Sequence, residues 1–342
     1  MPEQQVYLVI DIGTGNVRTA LVGTDAKVVH IERNNVIYER DTRYPDALHF
    51  HPDELWNQII GLIKKTMDAV PGARILAITA SSQREGIVLV DGQGKSLIGL
   101  PNHDHRGRQW EDRIQNKDRV YELTGRYPTS LFSALKLIGI REKRQDLFDR
   151  TASIMSISDW AQYMLCGEQG YEHAQASETV LYDVGKMDWS DELCGIFDVS
   201  PDLLPGLHHS GSVLGNVLPD IASQTGLKES IPVIVGGADT QLAVKSTRPA
   251  QGDIVLVSGT TTPVVKIIEN YRVDEKQRTW TGRHIEQGQF VLEANAGVTG
   301  LNYQRLREVF YPDQGYDRME QELAELSGSP CIASLGSLVA SE

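Results

Sequence analysis

The chain has 342 residues, of which 40% are apolar and 23% charged, and a formal net charge of −13. One hydrophobic core rarely serves more than about 250–300 residues, so two domains are expected, and the apolar content excludes a disordered chain. The acid excess argues against nucleic acid and against an anionic membrane surface, and no apolar run reaches the 18 or more residues of a membrane-spanning helix.

The start, Met1-Pro2-Glu3-Gln4-Gln5, lacks the basic and apolar regions of a signal peptide. Val6–Asp11, Val17–Val22 and Val28–Ile31 then follow at hairpin spacing and predict three antiparallel strands. Leu55, Ile59, Leu62, Ile63, Met67 and Val70 repeat at helical period, predicting a helix over 52–70 with Pro52 in its first turn. Segments 74–80 and 86–90 read as buried strands. Segment 106–150 is mostly helical and charged. A short helix over 158–165 is expected with Ser158 or Asp159 near its N-cap. Segment 167–215 reads as irregular. Further strands are expected at 232–235, 253–258, 263–268, 279–283 and 290–295, and helix resumes at Leu301. The cysteines Cys166, Cys194 and Cys331 are odd in number and far apart, as in the reduced thiols of a cytoplasmic protein.

Five constellations carry chemistry. Asp11-Ile12-Gly13-Thr14-Gly15-Asn16-Val17-Arg18 places a carboxylate at a strand end, then a turn whose glycines let backbone N–H groups approach an oxyanion. Thr14 and Asn16 add donors, and Arg18 a positive charge. Asp11 suits a water-mediated Mg²⁺ contact. The plainer reading is a tight hairpin with a buried Asp. Ser258-Gly259-Thr260-Thr261-Thr262 repeats this chemistry between two later strands, although threonine also serves strand propensity. In Gly236-Gly237-Ala238-Asp239-Thr240-Gln241, Asp239 stands at a helix start, either as an ordinary N-cap or as a general base for a hydroxyl. Ser82-Gln83-Arg84-Glu85-Gly86 follows a buried strand and suits hydroxyl recognition; Arg84 and Glu85 read equally as a surface ion pair. Asn102-His103-Asp104-His105-Arg106 reads as a polar substrate loop. Its His-X-His has too few neighbouring ligands for zinc.

In this order the five constellations resemble the FGGY carbohydrate kinases, a branch of the actin-like ATPase superfamily. Asp11, Gly13, Thr14 and Arg18 match the opening motif. Gln83-Arg84-Glu85 matches the sugar segment, and Asp104 with Arg106 the Asp-X-Arg segment. Asp239 matches the catalytic Asp, and Gly259 with Thr260 the second phosphate turn. The fold this implies is α/β, actin-like (ribonuclease H-like), with a sugar-binding domain over 1–245 and part of a nucleotide-binding domain over 246–342. Arg84-Glu85-Gly86-Ile87-Val88-Leu89, Ile157-Ser158-Asp159-Trp160 and Arg248-Pro249-Ala250-Gln251 look like autoinducer-2 kinases, as does Asn102 where other members carry Trp. A departure is Gly139 in Lys136-Leu137-Ile138-Gly139, where the family carries Trp.

The resemblance implies ATP-dependent phosphorylation of a sugar or small hydroxy-ketone. Asp239 would be the base, and Gln83, Arg84, Glu85, Asn102 and Asp104 would line the substrate. Gly13, Thr14, Gly15, Asn16, Arg18, Gly259, Thr260 and Thr261 would surround the ATP phosphates, and Asp11 with Asp239 would hold Mg²⁺. A homodimer is compatible with it. Family members are longer, so a truncated, non-catalytic sugar-binding fragment is the rival expectation.

Overall fold

The structure is a computed structural model that describes residues 4–258 and 261–328. Strands β1 (Gln5–Ile12), β2 (Asn16–Gly23) and β3 (Val28–Asn35) form the expected antiparallel meander. Helix α1 (Pro52–Ala69) follows, with Pro52 in the first turn beside Asp53 and Glu54, where a fixed φ and negative charge both suit a helix start. It leads to β4 (Arg74–Ser82). Strands β5 (Ile87–Asp91) and β6 (Ser96–Leu100) come next, then helix α2 (Ser133–Lys143), strand β7 (Thr151–Ser156) and helix α3 (Ile157–Cys166). Strands β8 (Val213–Asn216) and β9 (Pro232–Ala238) precede helix α4 (Asp239–Ser246). The later strands are β10 (Ile254–Leu256), β11 (Thr261–Ile268), β12 (Trp280–Arg283) and β13 (Phe290–Val298), followed by helix α5 (Gly300–Phe310).

The main sheet has the order β8-β9-β4-β1-β2-β3. Its three central strands, β9, β4 and β1, run parallel, so their C-terminal ends open on one edge. Alternation puts Val6, Leu8, Ile10 and Ile12 on one face of β1, each fully buried. They share a core with Leu55, Ile59, Leu62 and Ile63 of α1 and Trp160 of α3. Burying each of these aliphatic side chains stabilises the fold by about 1.5–3 kcal/mol, which fixes the sheet that carries the motifs. A second core packs α2 against β5, β6 and β7. The later strands make a separate antiparallel sheet, β10-β11-β13-β12.

Three details differ from the sequence reading. The N-cap of α3 is Ser156, whose hydroxyl accepts from the Asp159 N–H at 3.1 Å; Ser158 and Asp159 lie inside the first turn. Only 117–124, 133–143 and 145–148 of the 106–150 segment are α-helical, with a 3₁₀ stretch over 108–113. The segment read as irregular contains the helix Asp191–Phe197, capped by Ser190.

Candidate active site

The strand register gathers the first, third and fourth motifs. Asp11 pairs with Ser81, and Ser81 with Gly237, across the three parallel strands; one step on, Ile12, Ser82 and Ala238 are aligned. The chain beyond each end therefore delivers the Gly13–Asn16 turn, Gln83-Arg84-Glu85 and Asp239 to one edge. This is where open α/β sheets bind ligands. Gly237 sits at φ 149°, and a Cβ there would fall 2.9 Å from a Glu172 carboxylate oxygen. A side chain at this position would displace the strand end that aims Asp239.

The opening turn is a tight hairpin closed by the Gly13 N–H onto the Asn16 carbonyl at 2.9 Å, which leaves Thr14 and Gly15 exposed at its tip. Arg18 donates to Asp11 at 2.7 Å across the β1–β2 pair, so its charge is directed at the carboxylate. Gln83 is buried and braces this turn. Its Oε1 accepts from the Asn102 N–H at 2.9 Å, and its Nε2 donates to the Tyr38 hydroxyl at 3.2 Å and the Gly13 carbonyl at 3.4 Å. Tyr38 in turn donates to the Thr14 carbonyl at 2.7 Å, and Asn102 Nδ2 to Thr14 Oγ1 at 3.0 Å. The glycine turn and the segment that follows β4 thus share one hydrogen-bonded frame.

Arg84 and Glu85 are buried, not a surface pair. Arg84 forks onto Glu293 of β13, with Glu85 and Glu178 at 3.7 and 3.8 Å. Burial works against its charge, and Glu293, Glu85 and Glu178 overcome that and hold it protonated. Burial pushes the Glu85 carboxyl upward against the pull of Arg84, and it pushes the buried Lys136 ammonium downward. Lys136 Nζ donates to the carbonyls of Glu85, Asn102 and Leu131, tying three loops together. Glu178 also binds Arg126 through two hydrogen bonds of 2.6 and 3.0 Å. Arg126, Glu178 and Glu293 were not flagged by the sequence: their spacings of 52 and 209 residues leave no local pattern.

Asp239 is the first helical residue of α4; the N-cap is Ala238, so Asp239 is not the cap. Its Oδ1 accepts from the Thr240 N–H at 2.6 Å. Burial pushes its carboxyl up to about 6, opposed by Arg84 and Thr240 and reinforced by the charge of Asp11. Asp11 and Asp239 are part-exposed and supply carboxylate oxygens, a donor set that fits Mg²⁺.

Asp104 is closed off from solvent, its oxygens accepting from the Leu48 N–H at 2.9 Å and Arg106 Nε at 2.7 Å. His103 and His105 diverge, bonding to Asn102 and to Ser130. Gly259 and Thr260 lie outside the described residues. Thr261 begins β11, paired with Val298.

Two carboxylates, a glycine turn and the buried Arg84 and Glu85 thus meet at one edge of a parallel sheet. The solved structures agree on the fold: xylulose kinase from Lactobacillus acidophilus superposes with a TM-score of 0.86 at 16% identity, over 94% of this chain and 66% of that one. Plasmodium falciparum glycerol kinase with ADP does so at 0.82 and 20%, over 92% and 65%. Residues 6–245 match the N-terminal domain model of the FGGY family of carbohydrate kinases, and the chain belongs to that family. A Bacillus subtilis relative named "Putative sugar kinase YoaC" is 46% identical over the whole of this chain and 70% of its own length. The autoinducer-2 kinase of Escherichia coli strain K12 is 26% identical over 92% of this chain and 61% of its own length. The chain thus spans less than two thirds of that kinase.

Proposed function

We propose that this chain carries the acceptor site and catalytic base of an ATP-dependent kinase acting on a hydroxyl of a sugar or small polyhydroxy-ketone, with autoinducer-2 or a pentulose as candidates. The observation that carries the reading is Asp239: a carboxylate raised to about 6, at the strand edge that also presents Arg84 and Glu85. A base of that pKa is ionised at neutral pH yet keeps affinity for a proton. It would accept the proton of the attacking hydroxyl while Arg84, Glu85 and Asn102 orient the acceptor. Thr14 and Gly15 would face the transferred phosphate, with the later sheet β10-β11-β13-β12 belonging to the nucleotide-binding domain. Mg²⁺, held by Asp11 and Asp239, would neutralise phosphate charge when bound.

A thermal-shift screen of sugars and hydroxy-ketones, with and without Mg²⁺-ATP, identifies the ligand, since binding to the folded state raises its stability. With that ligand, Asp239→Asn should bind and fail to transfer phosphate. Near-normal turnover by Asp239→Asn overturns the role of Asp239. Binding without any turnover by the unaltered chain makes it a sugar-binding module.

A further inference from the structure

We propose that Glu39, His49 and His51 form a binding site for one borderline divalent transition-metal ion, Zn²⁺ foremost, separate from the Asp11–Asp239 pair. The donor atoms of these three residues lie within 4.8 Å of one another. Both imidazoles present Nε2 to the same oxygen of Glu39, His51 at 3.3 Å and His49 at 3.8 Å. Metal bonds of about 2.0–2.1 Å in a tetrahedron set neighbouring ligand atoms about 3.3 Å apart. Small rotations of the exposed Glu39 and His51 side chains reach that spacing.

Backbone geometry places these ligands. Glu39 and His49 are cross-strand partners in a short antiparallel pair, Glu39–Arg40 with Leu48–His49. His51 follows His49 by two residues, so extended backbone returns it to the same face. Phe50, between them, faces the core, and its ring occupies the space a side chain at Gly99 would fill.

The segment is held rigidly. The Leu48 N–H and carbonyl are bound by Asp104 and Arg106, Phe50 exchanges two backbone hydrogen bonds with Gly99, and His51 is the N-cap residue of α1. Such pre-positioning on fixed backbone is what a metal site requires. Two imidazoles and one carboxylate suit zinc, leave a coordination position for water, and are too poor in oxygen for Mg²⁺ or Ca²⁺.

The test uses the full chain, stripped with a chelator and titrated with Zn²⁺ alone by calorimetry, with Co²⁺ absorption as a second readout. One equivalent should bind. Even outer-shell changes cost metal sites 10–100-fold in affinity, so His51→Ala and Glu39→Gln should each raise Kd at least about tenfold. His103→Ala should leave it unchanged. Because Glu39 and His51 are exposed, the metal-free variants should unfold at the temperature of the unaltered chain. No saturable binding, or binding that survives both substitutions, overturns the site.

Discussion

Arg84 and Glu293 are joined by two hydrogen bonds, 2.6 and 3.0 Å, although 209 positions separate them. The pair is buried and connects the segment that follows β4 to the later sheet at β13. It is seconded by Tyr121 and Arg126, which donate to the carbonyls of Thr279 and Thr281. The Gln83-Arg84-Glu85 segment and the second sheet are therefore one electrostatic unit, and Arg84 keeps its orientation because Glu293 holds it.

Glu293→Ala should destabilise the chain by about 3 kcal/mol, because it removes the only carboxylate hydrogen-bonded to the buried Arg84 among the described residues and leaves Glu85 and Glu178 at 3.7 and 3.8 Å. Arg84→Met with Glu293→Leu should regain part of the loss, since neither charge is then buried. Urea unfolding measures both. A loss below about 1 kcal/mol for Glu293→Ala would show that Arg84 does not depend on it.

The kinase activity proposed above should fall on the acid side with an apparent pKa near 6, since Asp239 must be ionised to accept a proton. Thr240→Val removes a hydroxyl that donates to Asp239 at 3.2 Å and stabilises its anion. The acid limb of its pH–rate profile should therefore move to higher pH. An unmoved limb would mean that the limb reports another group.

Much of this arrangement was legible in the sequence, because β1, α1 and β4 carry strong periodicity and end in motifs with local spacing. The internal partners of Gln83 were not legible: its amide reaches Asn102, Tyr38 and Gly13, which are distant from it in sequence. Asp104 is similar: its carboxylate serves Arg106 and the Leu48 N–H. The sequence names the residue types gathered at an edge. Which of them brace one another depends on contacts such as Arg84–Glu293, which join the loop after β4 to a strand of the other sheet.

Lys136→Met should loosen the pocket. The ammonium reaches the carbonyls of Glu85, Asn102 and Leu131, and without it these groups lose a shared donor in a buried setting. The Glu85 carbonyl keeps the Ser133 hydroxyl as donor, and a buried carbonyl left without one costs about 1–3 kcal/mol. A lower unfolding midpoint and weaker binding of the sugar found in the thermal-shift screen are expected together. Lys136→Arg should not restore either, because a planar fork cannot replace a compact donor among three carbonyls. Unchanged sugar affinity in Lys136→Met would limit the residue to a role in stability.

Glu172 gives a pH-dependent stability that can be tested apart from any activity. It is buried, and its Oε2 accepts from the Gln175 N–H at 3.0 Å. Burial pushes its carboxyl up to about 8; the Ala174 and Gln175 N–H groups oppose the shift, and the charge of Asp159 adds to it. The folded chain therefore retains a proton that the unfolded chain releases near 4.5. Between those two values the folded state binds more protons, so stability must fall as pH rises. Glu172→Gln keeps the shape of the protonated acid and cannot ionise. The decline in urea midpoint from about pH 5 to about pH 8.5 should become shallower in this variant, though not vanish, since burial also raises Glu85 and Asp159. Parallel declines in the two proteins would show that Glu172 ionises in the folded chain as easily as in the unfolded one.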